Sequence, residues 1–283
     1  MTVRIGLADA GDPRVVEAAA RVAAAGTVLP VLVTEAEMNV PEGVEVATTG
    51  HGISELEALA DLVATGRVAA GVGGSLSASP DVLRAGIRRL RNSASGLVSG
   101  CFAIGSHDGW TTYADCVVVP TPDAHQLAEI AASAADHHSR TFGEEARVAM
   151  LSFSTAGSAT HPRVALVQDA TRLLRLARPD LEVEGEVQFD VAVDPGVAAR
   201  KAPDSRVAGI ANVLVFPSLE AANIAYKVAE RVGGATALGS FVLGLDRPWV
   251  DLSRGCSVDD IVATITLLAR AAEAERAPES VAG

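Results

Sequence analysis

Three residues near the C-terminus, Ser253, Arg254 and Asp260 in the stretch DLSRGCSVDD (251–260), place a hydroxyl, a forked cation and a carboxylate beside one predicted helix start. That set suits binding an oxyanion next to a general base. The same stretch also reads as a capping box, with Ser257 as N-cap and Asp260 three residues later, which would tie down the helix and leave Arg254 as a surface charge. Cys256 is a possible nucleophile, but no histidine is predictably near it, and a small buried cysteine is the commoner role.

A second group lies in SFSTAGS (152–158). Ser152, Ser154, Thr155 and Ser158 supply hydroxyls, and Gly157 permits close backbone approach, so the segment could hold a phosphate or serve as an ordinary polar loop. Ser75, Ser77 and Ser79 in GVGGSLSASPD (71–81) raise the same question, with Arg84 one turn into the next helix and Pro80 at its first position after a serine cap. Only Lys201 and Lys227 are lysines among 23 basic residues, and either could be a plain solvated charge. The six histidines are scattered without ligand spacing, so no metal site is expected. Neither GxxxxGK[ST] nor GxGxxG is present.

These segments need a frame that delivers them to one edge. Apolar β-branched runs alternate with Ala/Leu-rich stretches of helical period, the pattern of an α/β protein with mainly parallel strands, whose ligands sit at strand ends. Strands are expected near 3–8, 27–33, 68–72, 99–104, 113–119, 146–153, 183–189, 212–216 and 237–243. Helices are expected near 13–25, 54–65, 80–90, 123–140, 162–177, 219–232 and 257–275, with a fraying tail after Arg276.

The 283 residues carry 23 basic and 35 acidic side chains, a net charge of −12, with 49% hydrophobic residues. This supports a large core and argues against nucleic-acid or anionic-membrane surfaces. Cys101, Cys116 and Cys256 form no CxxC spacing, and no leader or membrane-spanning run is seen, so a soluble cytoplasmic protein is expected.

Taken together the chain resembles the phosphate acetyltransferase family along nearly its whole length. The most specific portion is GEVQFDVAVDPGVAARKAPDSRVAGIANVLVFPSLEAANIAYKVAERVGG, followed by ALGSFVLGL and DLSRGCSVDDIV; RIGLADAGDPRVVEAAARVAAAG and RVAMLSFSTAGSA are similar in order and spacing. The resemblance implies two α/β domains with a cleft between them, isocitrate/isopropylmalate dehydrogenase-like. Domain one would be 1–95 plus 242–283 and domain two 96–241. It implies a homodimer without metal or tightly bound cofactor, and transfer of an acetyl or short acyl group between CoA and phosphate. The substrates would thus be acyl-CoA with phosphate, or acyl phosphate with CoA.

By the same resemblance Asp260 would be the base for the CoA thiol, its carboxylate aimed into the cleft and so a poor cap. Arg254 would hold phosphoryl oxygens and Ser253 would donate a hydrogen bond. Arg84, Ser152, Ser154, Thr155, Gly157, Ser158, Asn223 and Lys227 would bind substrate. The chain departs from the family where a basic LRKHKG-like helix is usual: 53–68 is shorter, acidic and lysine-free. Ala156, Ile210 and Leu243 replace usual polar or glycine positions, with an apolar or tighter pocket as the expected result. The alternative to an acyltransferase is a non-catalytic or repurposed member, either a metabolite-binding subunit or an acyltransferase with a non-phosphate acceptor in a biosynthetic pathway.

Overall fold

The computed structural model describes residues 2–91, 96–107 and 109–276, with side chains to 273. The chain forms two compact units, Met1–Ser95 with Leu238–Gly283, and Gly96–Ala237. The fraying expected after Arg276 lies outside the described residues. Among the described residues no helix is long and apolar enough to cross a membrane.

In the first unit β1 (Val3–Leu7), β2 (Val28–Thr34), β3 (Glu45–Thr48), β4 (Ala70–Gly73), β10 (Thr236–Leu243) and β11 (Trp249–Asp251) line up as β3-β2-β1-β4-β11-β10. All neighbours are parallel except β10 against β11. Helices α1 (Pro13–Ala24), α2 (Glu55–Ala64), α3 (Ser79–Leu90) and α9 (Val258–Arg276) belong to this unit. Ile5, Leu7, Leu32 and Leu59 are buried, as expected where helices cover both faces of a parallel sheet. Trp249 fills the space that two glycines leave: a Cβ on Gly71 would lie 2.5 Å from its ring and one on Gly86 2.8 Å. Its indole N–H donates to the Val82 carbonyl at 3.0 Å.

In the second unit β5 (Ser99–Ser106), β6 (Gly109–Ala114), β7 (Arg147–Leu151), β8 (Glu182–Val187) and β9 (Val213–Val215) follow the order β5-β6-β9-β7-β8. Only β5 and β6 pair antiparallel. Helices α4 (Ala124–Phe142), α5 (Pro162–Ala177), α6 (Phe189–Val193), α7 (Pro195–Lys201) and α8 (Leu219–Arg231) complete it. One core cluster joins Phe102, Tyr113, Leu151, Val187, Leu214 and Phe216.

Several elements differ from the sequence expectation. The strand expected over 113–119 ends at Ala114, because the buried Asp115 carboxylate accepts from the N–H groups of Val117 (2.7 Å), Val118 (3.1 Å) and Val119 (2.7 Å), curling the chain away from the ladder. Pro80 is the second residue of α3, not the first. The cap position is Ala78, without a side-chain cap, and Ser79 is the first residue of the helix. The short strands β3 and β11 and the short helix α7 fall in stretches with no expected element, and the short helix α6 begins at Phe189, where the strand expected over 183–189 would end.

Candidate active site

Parallel strands bring their C-terminal ends to one edge, where the next helices begin. In the first unit that edge carries the loops after β1 (Ala8–Asp12), after β4 (Gly74–Ala78) and after β11 (Leu252–Ser257). Asp9, with φ +59°, lies just past β1 and anchors the second loop. Its carboxylate accepts from the N–H groups of Gly74 (2.7 Å), Leu76 (3.4 Å) and Ser77 (3.2 Å) and from the Ser77 hydroxyl (2.5 Å). Gly74 is required there: at φ +101°, a Cβ would sit 2.4 Å from Asp251 Oδ1 and 2.7 Å from the Leu252 nitrogen.

Asp251 ends β11 almost fully buried, and its Oδ1 has no hydrogen-bond partner. Burial pushes its carboxyl up to about 6; the Asp9 charge adds to the rise and the Ser79 hydroxyl opposes it. The chain then leaves the sheet through Leu252, whose N–H donates to the Gly73 carbonyl at 2.7 Å, and exposes Ser253 and Arg254. Arg254 has no ion-pair partner among the described residues. Cys256 is buried, and burial raises its thiol, so it is not poised as a nucleophile.

Asp260 corrects one expectation. It closes a full capping box: Oδ2 accepts from the Ser257 N–H and hydroxyl, both at 2.8 Å, and the Asp260 N–H donates to Ser257 Oγ at 3.1 Å. A half-buried carboxylate can do this through one oxygen, leaving Oδ1 outside the box.

Sequence reasoning missed Arg14. Its guanidinium grips the buried Asp12 and donates to the carbonyls of Ser75, Arg254 and Cys256. The hydrogen bond from Arg14 holds the Asp12 carboxyl below its ordinary range. In the sequence only the anchor of Arg14 was visible, Asp12 as a cap ahead of Pro13; the backbone carbonyls that Arg14 binds carry no signature.

Arg84 lies on the exposed face of α3, 2.6 Å from Asp81, and lines a cavity of about 950 Å³ with Ser77, Arg88, Arg89 and the acidic side chains Glu55, Glu57 and Asp61. The divergent stretch 53–68 supplies α2, held by its own capping box between Ser54 and Glu57 and by an ion pair from Asp61 to Arg89.

In the second unit the Ser152–Ser158 loop is built around a residue not singled out from sequence, Glu186. Its buried carboxylate accepts from the Ser154 hydroxyl (2.9 Å), the Gly157 N–H (2.8 Å) and Gln168 Nε2 (2.8 Å). Burial works to raise the Glu186 carboxyl, but these hydrogen bonds outweigh it and hold it below the usual range. Ser154 and Thr155 are therefore inner struts, with Thr155 Oγ1 accepting from the Gln188 N–H at 2.9 Å, while Gly157 and Ser158 are exposed. On α8 the Asn223 amide donates to the Cys116 carbonyl at 3.3 Å and its oxygen accepts from Lys227 Nζ at 3.1 Å. Lys227 also lies over the Tyr226 ring, which stacks on Phe102.

Of the replaced positions, Leu243 is buried, Ile210 is half exposed, and Ala156 stands at φ +48°. No group of three or more His, Cys, Asp or Glu side chains among the described residues is arranged to hold a metal ion.

The chain is 41% identical to a phosphate acetyltransferase of Paracoccus denitrificans over 90% of this chain and 91% of that one. It is 42% identical to the phosphate acetyltransferase of Clostridium acetobutylicum over 69% of this chain, spanning 61% of that longer protein. The EutD phosphotransacetylase structure from Staphylococcus aureus superposes with a TM-score of 0.83 at 33% identity, covering 96% of this chain and 94% of that one. A more distant likeness, of fold alone, links it to 4-hydroxythreonine-4-phosphate dehydrogenase from Klebsiella pneumoniae, with a TM-score of 0.62 at 12% identity over 96% of this chain and all of that one. This places the mixed α/β fold in the isocitrate-dehydrogenase-like class. The phosphate acetyl/butaryl transferase profile matches residues 53–269, and the chain belongs to that family.

Proposed function

We propose that Asp260, Arg254 and Ser253 carry the family reaction in this chain, acetyl-CoA + phosphate ⇌ acetyl phosphate + CoA. The observation that carries the assignment is the exposed Arg254, without an ion-pair partner among the described residues, in the same 251–260 stretch as the half-buried Asp260, which leaves the C-terminal edge of the first unit's sheet. In the direction of thioester formation, Asp260 Oδ1 takes the proton from the CoA thiol. The thiolate attacks the acyl carbonyl carbon and the C–S bond forms. Arg254 and the Ser253 hydroxyl hold the phosphoryl oxygens and offset the charge that gathers as the C–O bond breaks. Phosphate leaves with the bonding electron pair, and the proton held on Asp260 passes to it. CoA acts as a substrate and not as a resident cofactor.

Arg84 is assigned to a phosphate or CoA contact on the first unit. On the second unit the Ser152–Ser158 loop, Asn223 and Lys227 are assigned to substrate binding. Within the loop, Gly157 and Ser158 are the contact residues, because they are exposed while Ser154 and Thr155 are buried against Glu186 and Gln188. Ser152, half-buried at the end of β7, belongs with the contact set.

The enzyme is read as a cytoplasmic homodimer. Three free, buried thiols suit a reducing compartment. On α8 and its C-cap, Ile224, Val228 and Val232 form an exposed stripe at four-residue spacing, with Glu220 at one end and Arg231 at the other, which suits antiparallel pairing with a second copy.

Purified protein and its Asp260→Asn variant, each given CoA with acetyl, propionyl or butyryl phosphate, test the assignment through thioester absorbance. Turnover by the wild type and its loss in the variant is the expected result. Equal turnover by both removes Asp260 from the chemistry. Silence of the wild type with every acyl phosphate would favour a non-catalytic or repurposed member.

A further inference from the structure

Arg14 lies on the first turn of α1, 240 residues before the arginine assigned to the chemistry, yet three backbone carbonyls from two separate loops converge on it. Its Nη1 donates to the Arg254 carbonyl at 3.0 Å and to the Cys256 carbonyl at 2.7 Å. Its Nη2 donates to the Ser75 carbonyl at 3.1 Å and to Asp12 Oδ2 at 2.7 Å, and its Nε donates to Asp12 Oδ1 at 3.1 Å. Asp12 also accepts from the Arg14 N–H at 2.9 Å as the N-cap of α1, so the guanidinium starts from a fixed base.

The loop it grips has little else to fix it. Between the two gripped carbonyls lies Gly255, around which a Cβ would meet only Ser253 Oγ, at 3.8 Å. Inside the loop the bonds are Gly255 N–H to Ser253 Oγ at 3.3 Å and Cys256 N–H to the Ser253 carbonyl at 2.9 Å. Sterics therefore leave Gly255 free to turn, and rotation there would swing the Arg254 side chain while hardly moving α9. A planar fork with five donors can reach carbonyls on both sides of Gly255 while keeping its carboxylate. An ammonium, with three donors on one atom, cannot span them.

We infer that Arg14 is a positioning residue for acyl transfer: it locks the Ser253–Cys256 loop to Ser75 and α1, and so sets the direction in which Arg254 points. This rests on the reading that Arg254 acts on the phosphoryl group. Displacing a reacting or charge-stabilising group by about 1 Å costs on the order of a hundredfold in rate, which sets the size of the expected effect.

The test is a double-mutant cycle on the full-length enzyme, using Arg14→Ala, Arg14→Lys, Arg254→Ala and the Arg14→Ala/Arg254→Ala pair. It reads kcat and KM for acetyl phosphate and CoA, with thermal unfolding alongside. Arg14→Ala and Arg14→Lys are each expected to lose about a hundredfold in kcat/KM. In the Arg254→Ala background, Arg14→Ala should change activity by no more than about twofold, because the group it aims is gone. An equal loss in both backgrounds would show that Arg14 acts through stability alone and would overturn the inference while leaving the role of Arg254 intact. Wild-type activity in Arg14→Lys would overturn it too, since the fork would then be unnecessary, and this variant keeps the charge should Arg14→Ala fail to fold. Full turnover in Arg254→Ala would instead remove the reading on which the inference stands.

Discussion

Asp260 and Ser257 bind each other in both directions, the Ser257 hydroxyl donating to the Asp260 carboxylate at 2.8 Å and the Asp260 backbone N–H donating to Ser257 Oγ at 3.1 Å, so one side chain is both part of the helix cap and the proposed base. The two roles use different atoms and separate by substitution. Ser257→Ala should cost about 1 kcal/mol of stability, the usual worth of a cap. Asp260→Asn retains an acceptor for the box and should cost less stability, yet lose about 10²- to 10⁴-fold in kcat, the range for removing a general base. Denaturant unfolding and steady-state kinetics on both variants check this. Activity losses that simply track stability losses would mean that Asp260 is a cap alone.

Asp251 gives the first unit a pH signature. Its carboxyl stands near 6 in the folded protein against 3.8 ordinarily, so the folded state holds that proton more tightly than the unfolded chain does. The resulting stabilisation is fully present below about pH 4, and is lost as pH rises through about 6. At neutral pH the buried charge is a burden of a few kcal/mol, since each tenfold difference in proton affinity between the folded and unfolded chain is worth about 1.4 kcal/mol. Asp251→Asn removes the titration. The Tm of the variant minus that of the wild type should therefore rise steadily between about pH 4 and pH 7. A difference independent of pH would show that Asp251 does not titrate in this window.

The strands and helices that carry strong period were legible in the sequence. So was the DLSRGC loop, because a hydroxyl, an arginine and a carboxylate at one helix start are visible in one dimension. What was not legible is how distant segments satisfy one another. Arg14 looked like any residue on an amphipathic helix, since the carbonyls it binds are backbone groups with no sequence signature. Glu186 lay inside a β8 stretch rich in glutamates, where nothing marks the one that turns inward. Asp115 escaped notice because it follows a run that reads as continuous strand, and only the fold shows its carboxylate capturing three successive N–H groups. The short α7 was readable, as Asp194 caps it and Pro195 opens it, but seven residues give too little period to outweigh the surrounding loop.

Glu186 should act as the keystone of the Ser152–Ser158 loop. Glu186→Gln keeps the shape but replaces charge-assisted bonds with neutral ones, about half as strong, and turns an amide N–H₂ either to the Ser154 and Gly157 donors or to the Gln168 donor. The Gly157 N–H, bonded to Glu186 at 2.8 Å, should exchange with solvent at least about tenfold faster, the equivalent of about 1.4 kcal/mol. KM for acetyl phosphate should rise, with little change in global Tm. Unchanged exchange at Gly157 would show that the loop holds its shape without the carboxylate.

Ala156 follows from the same loop. At φ +48° it adopts the left-handed conformation, which costs an alanine about 1–2 kcal/mol because its Cβ crowds the following carbonyl. Its neighbour Gly157, at φ +79°, bears no such cost. The strain persists because the chain on either side is fixed, through the Ala156 N–H to the Glu186 carbonyl at 3.3 Å and the Gly157 N–H to the Glu186 carboxylate. Ala156→Gly relieves the crowding but frees the unfolded chain, which takes back roughly 0.5–1 kcal/mol. The balance should be a net gain of about 0.5 kcal/mol, a rise of one or two degrees in the melting of the second unit. Kinetics should be unaltered, because the loop is already held in the required shape. A fall in Tm would mean that the alanine Cβ makes a packing contact worth more than the strain.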